Sequence, residues 1–281
     1  MAITNFQQTI WSRKIQHQLE TITSLKDHCD FEFEGDIKMA KEVKILGINR
    51  PTIRTYVPGT ALTREAGTDT SQLLKIDQYR YFDFEVEDID KAQSVPGLIE
   101  ALSKEATLGL SEEADKYVAS LVAAAVTDGD QGVAVGTATD ISGVTDGGVA
   151  LLETGFKKLY ENNCKVNDTY HLELNPEWYT VLRPAIIELD TNNSDLIKKG
   201  YVGKYGNALI SIENLLGTAT VESQECTLAM LRTTKAIAFA GQIDKVEAYR
   251  PHDAFQDALK GLYVFGAKIV RPEQMYVFPI Y

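Results

Sequence analysis

The sequence is short of cysteine and of long apolar runs, and both shortages restrict its class. Cys29, Cys164 and Cys226 are the three cysteines among 281 residues, too few and too dispersed for a disulfide framework or a closed thiolate metal site. They are predicted to be reduced thiols. No stretch is long enough for a bilayer-spanning helix, and residues 1–8 contain neither a cationic leader nor an apolar run typical of a secretion signal. We therefore expect a protein that folds in a cytoplasm.

Positive charge is also scarce. The chain has 28 Lys and Arg against 40 Asp and Glu, which gives a formal net charge of −12. Proteins that grip duplex nucleic acid or anionic membranes need clustered cations, so tight contact with either is not expected. With 44% hydrophobic and 24% charged residues, the composition is typical of a folded globular chain.

Motifs for catalysis and for ligand binding are missing. The glycines of residues 200–206 are spaced three and three, which does not fit a dinucleotide-binding loop. The segment 190–195 begins like a calcium loop but has Asp195 where a glycine is needed and Tyr201 where a glutamate is needed. Residues 27–30 offer Asp, His and Cys, yet neighbouring residues cannot all point at one ion. We therefore predict no catalytic residue, no cofactor, no metal ligand and no enzyme activity.

The N-terminal region has a helical pattern. Residues 4–7 fit a capping box, and Trp11, Ile15 and Leu19 recur at spacings of four. So narrow an apolar stripe must be buried against another surface. That surface is either the body of the same chain or a neighbouring subunit, and the pattern leaves both possibilities open.

From residue 31 to residue 90 the hydrophobic period changes to two. The segments 43–48 and 51–56 are predicted to be extended. The clearest strand is 78–87, in which Phe82 and Phe84 lie on one face. Residues 57–74 have little apolar content and are predicted to form a projecting loop.

The two charged arms of this region have opposite signs. Residues 35–64 contain six cations and two carboxylates, a net charge of +4, whereas residues 77–90 contain one cation and six carboxylates, a net charge of −5. Such arms can pair across a hairpin or with the opposite arm of a neighbouring copy, although a solvated hairpin without a role in assembly is the alternative. The candidate subunit-contact residues are Trp11, Ile15, Leu19, Lys38, Lys41, Lys44, Arg50, Arg54, Arg64, Asp83, Glu85 and Glu87.

The remaining chain alternates helices and strands. Apolar residues from Val95 to Ala125 follow a helical rhythm that would extend about 45 Å if unbroken, with a possible interruption at Gly109. A helix is predicted over 149–162, a further helix begins at Pro176, and strands are predicted over 170–174, 208–212 and 259–270. The fold class is α+β, without an internal repeat.

This order of parts resembles a known family. The segments that carry the likeness are 79–93, similar to the return arm of a hairpin that enters a long spine helix; 200–215, similar to a glycine-marked turn and strand; and 255–273, similar to a closing strand with Arg-Pro-Glu. In order and spacing they resemble the major capsid protein of tailed double-stranded-DNA bacteriophages, with the Hong Kong 97-type fold. The likeness covers nearly the whole chain.

The resemblance implies a division of the chain into an N-terminal arm, an extended β-hairpin loop, a peripheral domain with a long spine helix, and an axial domain. The implied ranges are 1–30 for the N-terminal arm, 31–92 for the hairpin loop with its flanking strands, 93–165 for the peripheral domain, 166–249 for the axial domain, and 250–281 for the closing strand of the peripheral domain.

The resemblance also implies a function. The chain would assemble with itself into pentamers and hexamers of an icosahedral shell that encloses double-stranded DNA without binding it tightly. It would assemble in the host bacterial cytoplasm, become part of the virion capsid, and require a separate scaffolding protein, a portal and, in some shells, a decoration protein. The alternatives are an encapsulin-like nanocompartment, which shares this fold but packages an enzyme, and a soluble α+β enzyme with an unrecognised site.

Overall fold

The fold was analysed in a computed structural model. The structure describes residues 24–33, 42–48, 51–56, 58–59, 61, 64, 69–87, 98–129, 132–144, 148–188, 203–251 and 256–281. The predicted N-terminal helix with Trp11, Ile15 and Leu19 lies outside these residues, as do Lys38, Lys41 and Arg50.

The described chain contains three α-helices and twelve β-strands, in the mixed architecture that the sequence predicts. The helices are α1 (Leu98–Asp128), α2 (Val149–Glu161) and α3 (Pro176–Glu188). The strands are β1 (Glu42–Ile48), β2 (Asp69–Lys75), β3 (Gln78–Glu87), β4 (Ala134–Val135), β5 (Tyr170–Leu174), β6 (Gly203–Tyr205), β7 (Ala208–Ile212), β8 (Thr218–Val221), β9 (Gln224–Thr233), β10 (Ile237–Tyr249), β11 (Gln256–Ile269) and β12 (Met275–Ile280).

Strands β1 and β2 pair with each other in antiparallel register, from Glu42 opposite Lys75 to Ile48 opposite Asp69. We call β1, β2 and the residues between them the hairpin. The predicted loop 57–74 is therefore wrong in its second part, where β2 begins at Asp69. The polar sequence of β2 does not predict a strand, because the strand depends on tertiary contacts. Leu74 is buried, and the Gln72 amide donates a hydrogen bond to the Val270 carbonyl at 3.1 Å.

Strand β3 belongs to a different sheet. It pairs with β11, and β11 pairs with β10, in a three-stranded antiparallel sheet that we call the ribbon. The basic arm of residues 35–64 and the acidic strand β3 are thus not the two arms of one hairpin. Strand β1, within the basic arm, pairs with β2, and β3 pairs with β11.

Helix α1 is the longest element, with 31 residues, about 46 Å at 1.5 Å per residue. It is continuous through Gly109, so the interruption considered from the sequence does not occur. Its buried residues include Ala114, Val118 and Val122, which pack against β8 and β11. Tyr117 of α1 meets Phe265 of β11 edge to face, with ring centroids 5.6 Å apart.

The Gly109→Ala substitution is expected to stabilise the chain by about 0.5–1 kcal/mol, because glycine costs more backbone entropy than alanine inside a helix. No atom lies within 4 Å of the added Cβ. Denaturant unfolding measures the effect. The matched control is Gly206→Ala, which has equal space but a φ of +55° and should therefore be destabilising. A loss of stability in G109A would contradict the expectation.

The second body of the fold is a seven-stranded sheet in the order β4-β12-β9-β5-β7-β6, with β8 added beside β9. Strand β5 runs parallel to β7 and antiparallel to β9. Helices α2 and α3 cover this sheet through a core that includes Phe156, Trp178 and Phe278. A second core lies under α1, and a small third one joins the hairpin to β10.

Candidate functional site

Large apolar side chains are exposed mainly on the hairpin and the ribbon. Among the described residues, thirteen large hydrophobic side chains are exposed, and eight of them belong to these two elements. Concentrated exposure of this kind is typical of a surface that binds a partner. The eight are Leu46, Ile53, Tyr56 and Leu73 on the hairpin, and Tyr79, Tyr81, Val246 and Tyr249 on the ribbon.

We call residues 81–84 of β3 and 259–262 of β11 the outer part of the ribbon, and both of its faces are open. One face carries Phe84 and Leu259, which are cross-strand partners beside a groove of about 380 Å³. The opposite face carries Tyr81 and Leu262, also cross-strand partners, beside a groove of about 410 Å³. A sheet normally buries at least one face on a core, so this part of the ribbon is suited to contact with another molecule.

The side chains of Asp83 and Glu85 on β3 accept hydrogen bonds at this surface. The Tyr249 hydroxyl donates to both carboxylate oxygens of Asp83, at 3.0 and 3.2 Å, and the Gln256 amide donates to Glu85. These donors are neutral. Lys260, opposite Asp83 in the register, places its Nζ 3.4 Å from a Glu247 oxygen instead.

The basic candidates lie on the other exposed element. Lys44, on β1, is exposed, as are Arg54 and Arg64 between the two hairpin strands. Within the described part of the chain, none of the three forms an ion pair with Asp83 or Glu85. The structure therefore brings the two carboxylates together on β3 and keeps them apart from the cations, and the side chain of Glu87 lies outside the described residues.

A buried ionic cluster lies elsewhere, where residues 24–30 cross the body; we call these residues the anchor segment. Arg232 on β9 and Glu173 on β5 are both fully buried. Two hydrogen bonds join them: Nε to Oε2 at 3.0 Å and Nη2 to Oε1 at 2.7 Å. The guanidinium also donates to the carbonyls of Leu25 and His28, at 2.7 and 2.8 Å.

The charges in this cluster shift one another's pKa values. Burial alone would raise the pKa of Glu173, but Arg232 and His28 lower it by more, so the carboxylate stays ionised. The His28 Nδ1 lies 2.8 Å from Glu173 Oε1, and its ring stacks on His171 at 4.0 Å. Burial, together with the nearby His28, lowers the pKa of His171 to about 4, which favours its neutral form.

Two further carboxyls complete the cluster. Burial raises the pKa of Asp115 to about 6, although the Lys26 backbone N–H donates to its Oδ1 at 2.9 Å. Burial also raises the pKa of Glu213 to about 8, against the lowering effect of the Ser24 hydroxyl that hydrogen bonds to it. Asp115 Oδ2 and Glu213 Oε2 find no hydrogen-bond partner within the described chain.

The sequence patterns did not predict this cluster. Over the residues that the structure describes, no group of three His, Cys, Asp or Glu could hold a metal ion. The sequence does contain one indication of the cluster: a charged residue inside an apolar strand, Glu173 in β5 and Arg232 in β9. A charge buried in this way is stable only when it is paired with an opposite charge. All three cysteines are free, as predicted, and no described helix has the length and hydropathy to cross a membrane.

Comparison with solved structures gives the fold. A structure from Mycobacterium phage Che8 is 27% identical in sequence, with a TM-score of 0.78 over 99% of this chain and 98% of that chain. The capsid of cyanophage P-SCSP1u is 16% identical, with a TM-score of 0.78 over 100% of this chain and 95% of that one. The mature capsid of bacteriophage PhiM1 is 12% identical, with a TM-score of 0.71 over 98% and 92%.

The chain has the phage capsid fold. The prediction made from segments 79–93, 200–215 and 255–273 is therefore confirmed at the level of fold. No protein-family model and no curated protein matches the chain. Because the capsid fold covers nearly all of the chain, the hairpin, the ribbon and the anchor segment all belong to it, whereas the domain ranges stay predictions.

Proposed function

We propose that the chain is the major capsid protein of a tailed bacteriophage and builds an icosahedral shell around a double-stranded DNA genome. The observation that carries the proposal is the capsid fold, matched over nearly the full length of the chain and of its neighbours. The role is structural rather than enzymatic. The shell would consist of pentamers and hexamers and form the capsid of the virion.

The exposed hairpin and ribbon support this role physically. A closed shell gives every subunit neighbours on all sides, so both open faces of the outer ribbon can be covered. The cations Lys44, Arg54 and Arg64 and the carboxylates of Asp83 and Glu85 are complementary in charge, and each can pair with the opposite set on another copy. Exposed ion pairs contribute only about 0.2–1 kcal/mol each, but a shell repeats them at every subunit contact.

The acidic composition fits a container rather than a DNA-binding protein. A net charge of −12 would let a packed genome enter and leave without adhering to the wall. Assembly would take place in the host bacterial cytoplasm, with a scaffolding protein, a portal and, in some shells, a decoration protein as further partners. The predicted N-terminal arm, with Trp11, Ile15 and Leu19, is proposed to contact a neighbouring subunit.

Electron microscopy and light scattering of the expressed chain, alone and with scaffolding protein from the same phage, test the proposal. We expect closed icosahedral shells. Small monodisperse species under all assembly conditions would contradict it. Shells with a co-purifying enzyme in place of DNA would assign the chain to a nanocompartment, and DNA inside particles from infected cells would support genome enclosure.

Charge reversal on the hairpin tests the proposed contact. The triple variant K44E/R54E/R64E is expected to raise the protein concentration needed for assembly by at least about tenfold, since three attractive pairs become repulsive. The effect should shrink as salt is added, because salt screens exposed charges. Light scattering against protein concentration measures it.

Two controls make this experiment specific. The variant K157E/K165E/K204E has the same net charge but changes exposed cations outside the hairpin and ribbon, and should assemble more readily than the hairpin variant. Adding D83K/E85K to the hairpin variant should restore part of the assembly. If both triple variants behave alike and the added lysines restore nothing, the hairpin cations do not pair with β3.

A further inference from the structure

Charged core residues hold the anchor segment, and strand pairing adds little. One isolated bridge joins it to β10: the Asp30 N–H donates to the Ile237 carbonyl at 2.8 Å, and the Phe239 N–H donates to the Asp30 carbonyl at 2.9 Å. Ionisable core groups make further attachments: the Arg232 guanidinium to two carbonyls, Asp115 to the Lys26 N–H, Glu213 to the Ser24 hydroxyl, and Glu173 to the His28 ring. Lys26 Nζ also donates to the Ser111 hydroxyl, and Leu25 and Cys29 pack in the core under α1. The attachment of the segment therefore depends in part on the ionisation of these core groups.

Glu213 contacts Ser24, the first residue of the anchor segment. It follows directly on β7, and its backbone N–H donates to the Leu174 carbonyl at 2.8 Å, which fixes the residue to the sheet. Its side chain is fully buried. One carboxyl oxygen accepts the Ser24 hydrogen bond, and the other has no partner among the described residues.

The charges facing Glu213 do not balance if every carboxyl is ionised. They are Asp115 on α1, Glu173 on β5 and Arg232 on β9, so with Glu213 three carboxylates would share one guanidinium. Beyond these, Lys26 acts on Asp115 and the His28 ring on Glu173. Arg232 is already occupied by Glu173 and by the anchor carbonyls. A buried carboxylate without a compensating charge is strongly destabilising, so the closed arrangement requires a proton on Glu213.

We propose that Glu213 is a proton-operated latch on the anchor segment: when protonated it can stay buried beside Ser24 with the segment closed, and when ionised it opens the segment. An ionised Glu213 repels Glu173 and Asp115 and competes for Arg232, which then releases the carbonyls of the segment. Opening admits water to the carboxylates. Because residues 24–30 are the last part of the predicted N-terminal arm, residues 1–30, the latch controls how this part of the arm is attached to the body.

The direction of the pH dependence follows from the raised pKa of Glu213, about 8 when buried, against 4.5 ordinarily. The closed state binds the proton more tightly than the open state, so closure is fully favoured below pH 4.5 and weakens as pH rises through about 8. His171, with a pKa of about 4, has completed its titration below this range, and Asp115, with a pKa of about 6, is mostly ionised at pH 6.5. Between about pH 6.5 and 9 the largest change in charge is therefore that of Glu213.

Cys29 is a built-in reporter. It is buried inside the anchor segment, and burial raises the pKa of its thiol to about 11, so a thiol reagent reaches it only when the segment opens. Cys226, buried in β9, reports opening of the sheet. The partly exposed Cys164 reports how the reactivity of the reagent itself changes with pH. The unassembled full-length chain is labelled with iodoacetamide at each pH, and each rate is divided by that of the same cysteine in the urea-unfolded chain.

From about pH 6.5 to 9 we expect the normalised labelling of Cys29 to rise by about ten- to thirtyfold, while that of Cys226 stays nearly constant. In Glu213→Gln, which keeps the shape but cannot ionise, the rise should disappear. In Ser24→Ala, Cys29 should be labelled faster at neutral pH and keep its pH dependence. An unchanged rise in E213Q, a flat wild-type profile, or equal rises at Cys29 and Cys226 would overturn the proposal, whatever the chain assembles into.

Discussion

Arg232→Met is expected to lower the free energy of unfolding by about 3–5 kcal/mol, because it leaves Glu173 ionised and buried without its counter-charge. The same change removes the two donors that hold the Leu25 and His28 carbonyls. The loss should therefore include early detachment of the anchor segment. Urea unfolding of the unassembled chain measures the total effect, and Cys29 labelling measures the detachment.

The matched control is Arg80→Met. Arg80 also pairs with a glutamate, Glu113, at 3.5 Å, but the two side chains are 42% and 40% exposed. Water already solvates both charges, so we expect a loss below about 1 kcal/mol. Equal losses in the two variants would contradict the buried ion pair as the cause.

A double variant separates the two contributions of Arg232. Replacing Glu173 by Gln in R232M removes the stranded charge, so the double variant should be more stable than the sum of the two single losses predicts. It should still label rapidly at Cys29, because the donors to the anchor carbonyls stay absent. Additive losses would show that the two side chains act independently.

Gly266→Ala is expected to destabilise the chain by about 1–3 kcal/mol, the usual range for overpacking a core. A Cβ at this position of β11 would lie 2.1 Å from the Lys75 carbonyl oxygen and 3.0 Å from the Ile76 Cα. Both are backbone atoms, which cannot rotate away. The strand must therefore shift from the end of β2, which moves the base of the hairpin.

Gly261→Ala on the same strand is the matched control. The three atoms nearest to its Cβ would all belong to the ring of Phe82, the first at 2.4 Å, and that ring is partly exposed and can rotate. We expect a smaller loss of stability in G261A, measured by thermal and urea unfolding.

If the hairpin is an assembly element as proposed, G266A should also impair shell formation under conditions where the subunit stays folded. Normal shells from a destabilised G266A would show that the hairpin base tolerates displacement.

Local elements were accessible from the sequence where their periodicity was strong. Strands β3, β5 and β7 and helices α1 and α2 were predicted within a few residues of their ends. Strand β2 was missed because Asp69, Thr70, Ser71 and Gln72 carry no apolar alternation. Its conformation depends on pairing with β1 and on the contact of Gln72 with Val270.

The sequence did not predict which strands pair with β1 and β3. The opposed charges of residues 35–64 and 77–90 are compatible with pairing across one hairpin or with a neighbouring copy, and within the chain β3 pairs with β11, from Gln78 opposite Phe265 to Glu87 opposite Gln256. Strand pairing is chosen by which faces pack against the core, and Phe265 lies under α1. Neither the charge of β3 nor its alternating hydrophobic pattern indicates which strand it pairs with.

The sequence by itself determined the fold class, the free cysteines and the exposed charges of the hairpin and ribbon, because each follows from neighbouring residues. Only the tertiary structure decided the strand partners and the buried cluster. Glu173 and Arg232 are 59 residues apart, and His28 is 145 residues from Glu173. Such contacts exist only after the chain has brought three strands, a helix and the anchor segment together, when burial makes each charge depend on its neighbours.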